Sequence, residues 1–111
     1  MAKISPEIHD QQLYLAEHSV PFCTVGSAAW FTWLAQATHF RFASTQQRAT
    51  HYRGNLYLSP ISLRKERRRH GYYWYAYRRS NGQLHKRYVG RSAQLTLAKL
   101  DTVANYLHDC W

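Results

Sequence analysis

A chain of 111 residues, 45% of them hydrophobic, accommodates one domain with a modest core and leaves little room for a deep cleft beside its scaffold. Its formal net charge of +9 calls for a polyanionic partner, of which nucleic acid is the commonest. No apolar run reaches membrane-spanning length, the opening MAKISPEIHDQQ lacks the apolar core of a signal peptide, and Cys23 and Cys110 read as reduced thiols, so a cytoplasmic, membrane-free location is expected.

Residues 1–24 are polar with scattered apolar positions, and Pro6 and Pro21 interrupt them. This segment is expected to be mostly irregular, apart from a short strand at Leu13, Tyr14 and Leu15. A single α+β domain is expected over residues 25–111. Ser27 is placed to cap a helix over residues 28–37, whose Trp30, Trp33, Leu34 and Ala37 form an apolar stripe at i, i+3, i+4, i+7. Such a stripe predicts core packing; a groove for a partner is the alternative. Residues 40–44 alternate as a strand does, residues 45–55 read as a polar loop, and Leu56, Tyr57 and Leu58 form a short apolar run before Ser59 and Pro60. Residues 61–69 alternate again, with His70 and Gly71 making a turn. Near the C-terminus Thr96 caps an amphipathic helix that carries Leu97, Leu100, Val103, Ala104 and Leu107 on its apolar side, stapled by Leu95 and Leu100. The whole predicts an α+β fold: a small antiparallel sheet of three to four strands, packed by an N-terminal helix and a C-terminal amphipathic helix.

The charge is concentrated in residues 64–91, which hold ten of the fifteen Lys and Arg and one acid, Glu66. Within them Asn81-Gly82 suits a two-residue type I′ turn, because both central residues then need positive φ. The register that follows pairs Ser80 with Gln83, Arg79 with Leu84, Arg78 with His85, Tyr77 with Lys86, Ala76 with Arg87, Tyr75 with Tyr88 and Trp74 with Val89. Trp74, Ala76, Arg78, His85, Arg87 and Val89 share one face; Tyr73, Tyr75, Tyr77, Arg79, Leu84, Lys86 and Tyr88 share the other. Burial of the Trp74 face is favoured, because Ala76 lets a helix approach and the flanking bases can reach past the edge. Alternation alone leaves the exchange of faces open.

Catalytic and metal chemistry is not expected. The seven histidines lack metal spacing, no Cys-x-x-Cys or glycine-rich phosphate loop occurs, and His70 or His85 could serve a nuclease only with an acid partner, of which the basic stretch offers Glu66 alone. No cofactor is called for.

The strand pattern Tyr73-Trp74-Tyr75-Ala76-Tyr77-Arg78, the turn glycine Gly82, the basic strand Lys86-Arg87-Tyr88 and the helix opened by Thr96 resemble a three-stranded-sheet-plus-helix DNA-binding fold. That fold is found in tyrosine-recombinase arm-binding domains and plant ethylene-response-factor domains. A second resemblance joins Val25-Gly26-Ser27, Trp30-Phe31, Trp33-Leu34, Phe40 and Phe42 to Arg64-Lys65-Glu66-Arg67, Tyr73-Trp74-Tyr75-Ala76-Tyr77-Arg78, Tyr88-Val89-Gly90-Arg91 and Leu95-Thr96-Leu97. It is similar to the N-terminal module of LuxR/MalT-type bacterial transcriptional regulators, where a nucleotide-binding domain and a helix-turn-helix would follow; this chain stops at Trp111 without them. Both resemblances imply a transcription or recombination setting and no catalytic role.

The expected function is therefore a basic, tyrosine-rich hairpin or sheet laid on double-stranded DNA. Arg64, Tyr73, Tyr75, Tyr77, Arg79, Lys86, Arg87 and Tyr88 would form the contact, with Arg67, Arg68 and Arg69 as phosphate clamps at its rim. Two rivals remain: RNA binding by base stacking, and a protein-interaction or sensor module that docks on a partner domain or a second copy.

Overall fold

A computed structural model describes residues 5–15, 20–43, 51–52, 55–56, 61–80 and 82–108. Strands β1 (Glu7–His9), β2 (Gln12–Tyr14) and β3 (Cys23–Thr24) precede helix α1 (Ala28–Gln36). Then come β4 (His39–Phe42), β5 (His51–Tyr52), β6 (Asn55–Leu56), β7 (Ile61–Arg68), β8 (Gly71–Ser80) and β9 (Gln83–Gly90), and a 3₁₀ turn (Ser92–Gln94) leads into α2 (Leu97–His108). Seven strands form one sheet in the order β3-β2-β1-β4-β7-β8-β9, and β5 pairs with β6 separately. The sheet is mixed, because β1 runs parallel to β4 while every other pairing is antiparallel.

The α+β class and both helices agree with the sequence; the sheet is wider than the three to four strands expected. The extra strands come mainly from the N-terminal segment expected to be mostly irregular. There β1 and β2 join through Asp10 and Gln11, both at positive φ, and place Ile8 and Leu13 in the core. The β5–β6 pair falls where a loop was expected. The short apolar run at residues 56–58 lies largely outside the described residues; Leu56, its described member, falls in β6.

Helix α1 begins where Ser27 accepts the Trp30 backbone N–H at 3.2 Å, as a capping serine does. Its Trp30, Trp33 and Leu34 are buried, so the stripe serves the core. At its other end Lys65, reaching up from β7, donates to the carbonyl oxygens of Leu34 at 2.7 Å and Ala35 at 3.2 Å. These carbonyls lack partners within the helix and carry the negative end of its dipole, which favours a cation there. Burial against Trp74 and the helix end pushes the Lys65 amine down from its ordinary value. Helix α2 is capped by Thr96, whose Oγ1 accepts the Lys99 N–H at 3.2 Å, and Arg78 of β8 donates to the Leu107 carbonyl in its last turn at 3.2 Å. Two basic residues of the sheet are thus committed to ending the two helices.

One core holds the layers together. Ile8, Leu13, Phe40, Phe42, Ile61, Leu63, Trp74, Ala76 and Val89 point inward from the strands and meet Trp30, Leu34, Leu100, Val103 and Leu107 of the helices. Because side chains alternate along a strand, burial of these residues sends their neighbours to the opposite face.

Replacing Lys65 with Met keeps the stem and removes the helix-end hydrogen bonds. The expected result is a loss of about 1–2 kcal/mol in chemical denaturation, the size of a charge-assisted hydrogen bond at a helix C-terminus.

Candidate nucleic-acid interface

The β8–β9 register agrees with the sequence reading from Ser80–Gln83 to Tyr75–Tyr88. Gly82 sits at φ +78, as a positive-φ turn requires; Asn81 lies outside the described residues. The register departs at one place. Trp74 pairs with Gly90 instead of Val89, through a bulge. Gly90 adopts φ +143, and a Cβ there would lie 2.3 Å from Oε1 of Gln94, so a side chain at this position would meet both strain and a clash. The preceding turn also differs: Arg68 pairs with Gly71, so Arg69 and His70 form the turn and β8 starts at Gly71.

Burial settles the two faces of the hairpin. Trp74, Ala76 and Val89 are buried, whereas Tyr73, Tyr75 and Tyr77 are half-buried and Arg79, Leu84, Lys86 and Tyr88 are exposed. Strand pairing extends the exposed face across neighbouring strands in rows: His39–Arg64–Tyr75–Tyr88, and Arg41–Ser62–Tyr77–Lys86. Arg79 and Leu84 continue it toward the hairpin tip, and Glu66, Tyr73 and Arg68 toward the opposite end.

Glu66 draws several side chains of this face together. Its carboxylate accepts hydrogen bonds from Arg68 and from the Tyr77 hydroxyl, and Lys86 approaches it at 3.3 Å. Arg68 and Lys86 also lie over the Tyr75 ring, 4.9 and 4.5 Å from its centroid, and Tyr75 meets Tyr88 edge-on at 5.5 Å. The Tyr75 hydroxyl, with Glu66 behind it, holds the Arg68 guanidinium still further above its usual range. Arg91 clamps the far end, donating to the Tyr73 hydroxyl at 2.8 Å and to the His70 carbonyl at 3.3 Å. The tyrosines are therefore held by cations packed against their rings.

Eight of the eleven expected contact residues lie on this face: Arg64, Arg68, Tyr73, Tyr75, Tyr77, Arg79, Lys86 and Tyr88. Three do not. Arg87 pairs with Ala76 on the helix side and stacks 3.9 Å from the centre of the Tyr106 ring in α2. Arg67 pairs with Tyr72 and shares that alternate side, and Arg69 sits in the turn. The expected Arg67–Arg69 clamp is thus divided among two faces and a loop, because consecutive strand residues point in opposite directions. Conversely, His39, Arg41 and Ser62 join the face unforeseen. Alternation of Phe40 and Phe42 marks His39 and Arg41 as outward-facing, but the pairing of β4 with β7 has no local signal across the intervening residues 43–60.

The family described as a domain of unknown function, DUF6788, matches residues 37–99. The chain belongs to that family. The DUF6788 match covers β4 through the start of α2, and so contains every basic residue of the exposed face, while β1–β3 and α1 fall outside it. No curated protein and no solved structure matches the chain. Among the described residues no group of three or more His, Cys, Asp or Glu is placed to hold a metal, and no helix is long and apolar enough to cross a membrane.

Substitutions at adjacent positions separate the faces. Trp74→Ala is expected to cost about 3–5 kcal/mol in denaturant unfolding as a large-to-small core change. Tyr75→Ala, on the half-exposed side, is expected to cost about 1 kcal/mol.

Proposed function

We propose that the protein binds DNA by laying the exposed face of β7, β8 and β9 on the duplex. The observation that carries this reading is the sorting of side chains by strand alternation. It sends Tyr73, Tyr75, Tyr77 and Tyr88 outward together with Arg64, Arg68, Arg79 and Lys86, and keeps the apolar residues of the same strands in the core. Three strands spaced about 4.8 Å apart span roughly 10 Å, which suits a major groove about 12 Å wide. The free arginines meet phosphates, while tyrosine rings and hydroxyls face the groove floor. In this reading the protein is a binding module without catalytic chemistry, acting on DNA in the cytoplasm in transcription regulation or recombination.

A second reading rests on one feature. Tyr88 and Leu84 are 52% and 55% exposed on edge strand β9, a surface on which unpaired bases could stack. It is separated from the first by the form of nucleic acid preferred. The tryptophans of α1, one of the contact surfaces a docking module would use, are buried in the core.

Fluorescence anisotropy with duplex DNA, single-stranded DNA and structured RNA over a range of salt concentrations tests the proposal. The duplex is expected to bind most tightly, with a log–log salt slope of about −4 to −5 for five cations meeting phosphates. A slope shallower than about −2 would remove its electrostatic basis. Tyr75→Ala is expected to weaken binding by about tenfold, a loss of about 1.4 kcal/mol, while Trp74→Ala acts through stability.

A further inference from the structure

The basic residues of the sheet divide into those already engaged and those left free. Lys65 and Arg78 end helices, Arg68 and Lys86 share Glu66, Arg91 holds Tyr73, and Arg87 stacks on Tyr106. Arg41, Arg64 and Arg79 are exposed on the tyrosine face, and their guanidinium groups make no hydrogen bond or ion pair with any described residue.

These three arginines border two adjoining open hollows. One, of about 800 Å³, is lined by His39, Arg41, Ser62 and Arg64 among others. The second, of about 340 Å³, is lined by Ser62, Arg64, Tyr77, Arg79 and Leu84. They share Ser62 and Arg64, so together they form a trough running obliquely across β4, β7 and β8. Arg41 lies beside Ser62 on β4; on β8 Tyr77 pairs with Ser62, and Arg79 follows two residues on. Arg41 and Arg64 are diagonal neighbours across β4 and β7, about 7–8 Å apart, and Arg79 lies further along β8 beyond Tyr77, so the three long side chains mark out a path several phosphates long. Glu66 also lines the larger hollow, but its charge is met by Arg68 and Lys86.

We infer that this trough is a phosphate-binding site that seats the sugar–phosphate backbone of one nucleic-acid strand, with Arg41, Arg64 and Arg79 on the phosphates and the Ser62 hydroxyl as an additional donor. The inference rests on the nucleic-acid reading and adds to it a direction. The backbone crosses β4–β7–β8, and the bases lie toward Tyr75 and Tyr88 at the β9 edge. Planar guanidinium groups suit this role because they grip phosphate oxygens in pairs.

Two measurements on the full chain test it. In the first, pyrophosphate is titrated into the wild-type protein and the arginine Nε–Hε resonances are followed. Saturable shifts at Arg41, Arg64 and Arg79, without matching shifts at Arg67 and Arg69, are expected. Equal shifts at all arginines, or none, would overturn the site. In the second, the combined Arg41→Gln and Arg64→Gln variant is compared with Arg67→Gln in salt titrations of duplex and single-stranded oligonucleotides. The double variant is expected to lose about two units of slope and to weaken every sequence alike, by about tenfold or more, while Arg67→Gln changes little. A double variant that binds with the wild-type slope overturns the trough and leaves the nucleic-acid reading standing. Saturable pyrophosphate binding by a protein that binds no oligonucleotide supports the phosphate site and overturns the seating of a strand.

Discussion

Trp74 ties the sheet to the rest of the molecule. Its ring meets Phe40 at 5.1 Å, Phe40 in turn meets Trp30 and Trp33 of α1, and its indole N–H donates to Ser92 Oγ at 2.9 Å. Trp30 donates to the Leu95 carbonyl at 2.8 Å, so both buried indoles fasten the segment that leads from β9 into α2. With Trp74 committed inward, alternation leaves Tyr73 and Tyr75 no other face than the outer one, and cross-strand pairing carries that choice to β7 and β9. The composition of the exposed face is thus a consequence of where the core lies.

The same constraint sorts the charges. A strand rich in arginine and lysine presents bases to both sides of its sheet, and on the core side each must reach an acceptor or solvent. Lys65 and Arg78 reach helix carbonyls and Arg87 reaches the ring of Tyr106, so bases that look alike in the sequence serve as helix caps and covers. On the outer side Glu66 engages two cations, and Arg41, Arg64 and Arg79 remain available. In the proposed reading net charge draws a polyanion toward the molecule, and the trough would give it a place and a direction.

Much of this was legible beforehand where the signal is local. Asn81-Gly82 set the hairpin register through Tyr75, the Ser27 and Thr96 caps set the helix starts, and Ala76 beside Trp74 indicated the buried face. What escaped depends on long-range pairing or on unusual backbone. The β1–β2 turn places Gln11 at positive φ without a glycine to announce it, and the shift opposite Trp74 depends on Gly90 and the side chain of Gln94. The union of β4 with β7 joins segments separated by residues 43–60, and with it came His39, Arg41 and Ser62 of the proposed trough. The run Arg67, Arg68, Arg69 reads as one clamp in one dimension and becomes three different environments once the strand alternates and then turns.

The central claim is that the outer face, and not the helix side, meets nucleic acid. Backbone amide shifts recorded during titration with a short duplex test it across the whole chain at once. The account predicts that the largest changes fall at Arg41, Ser62, Arg64, Tyr75, Tyr77, Arg79, Lys86 and Tyr88, with α1 and α2 little affected. Changes centred on Arg87, Tyr106 and the helices, with the tyrosine strands unmoved, would contradict it.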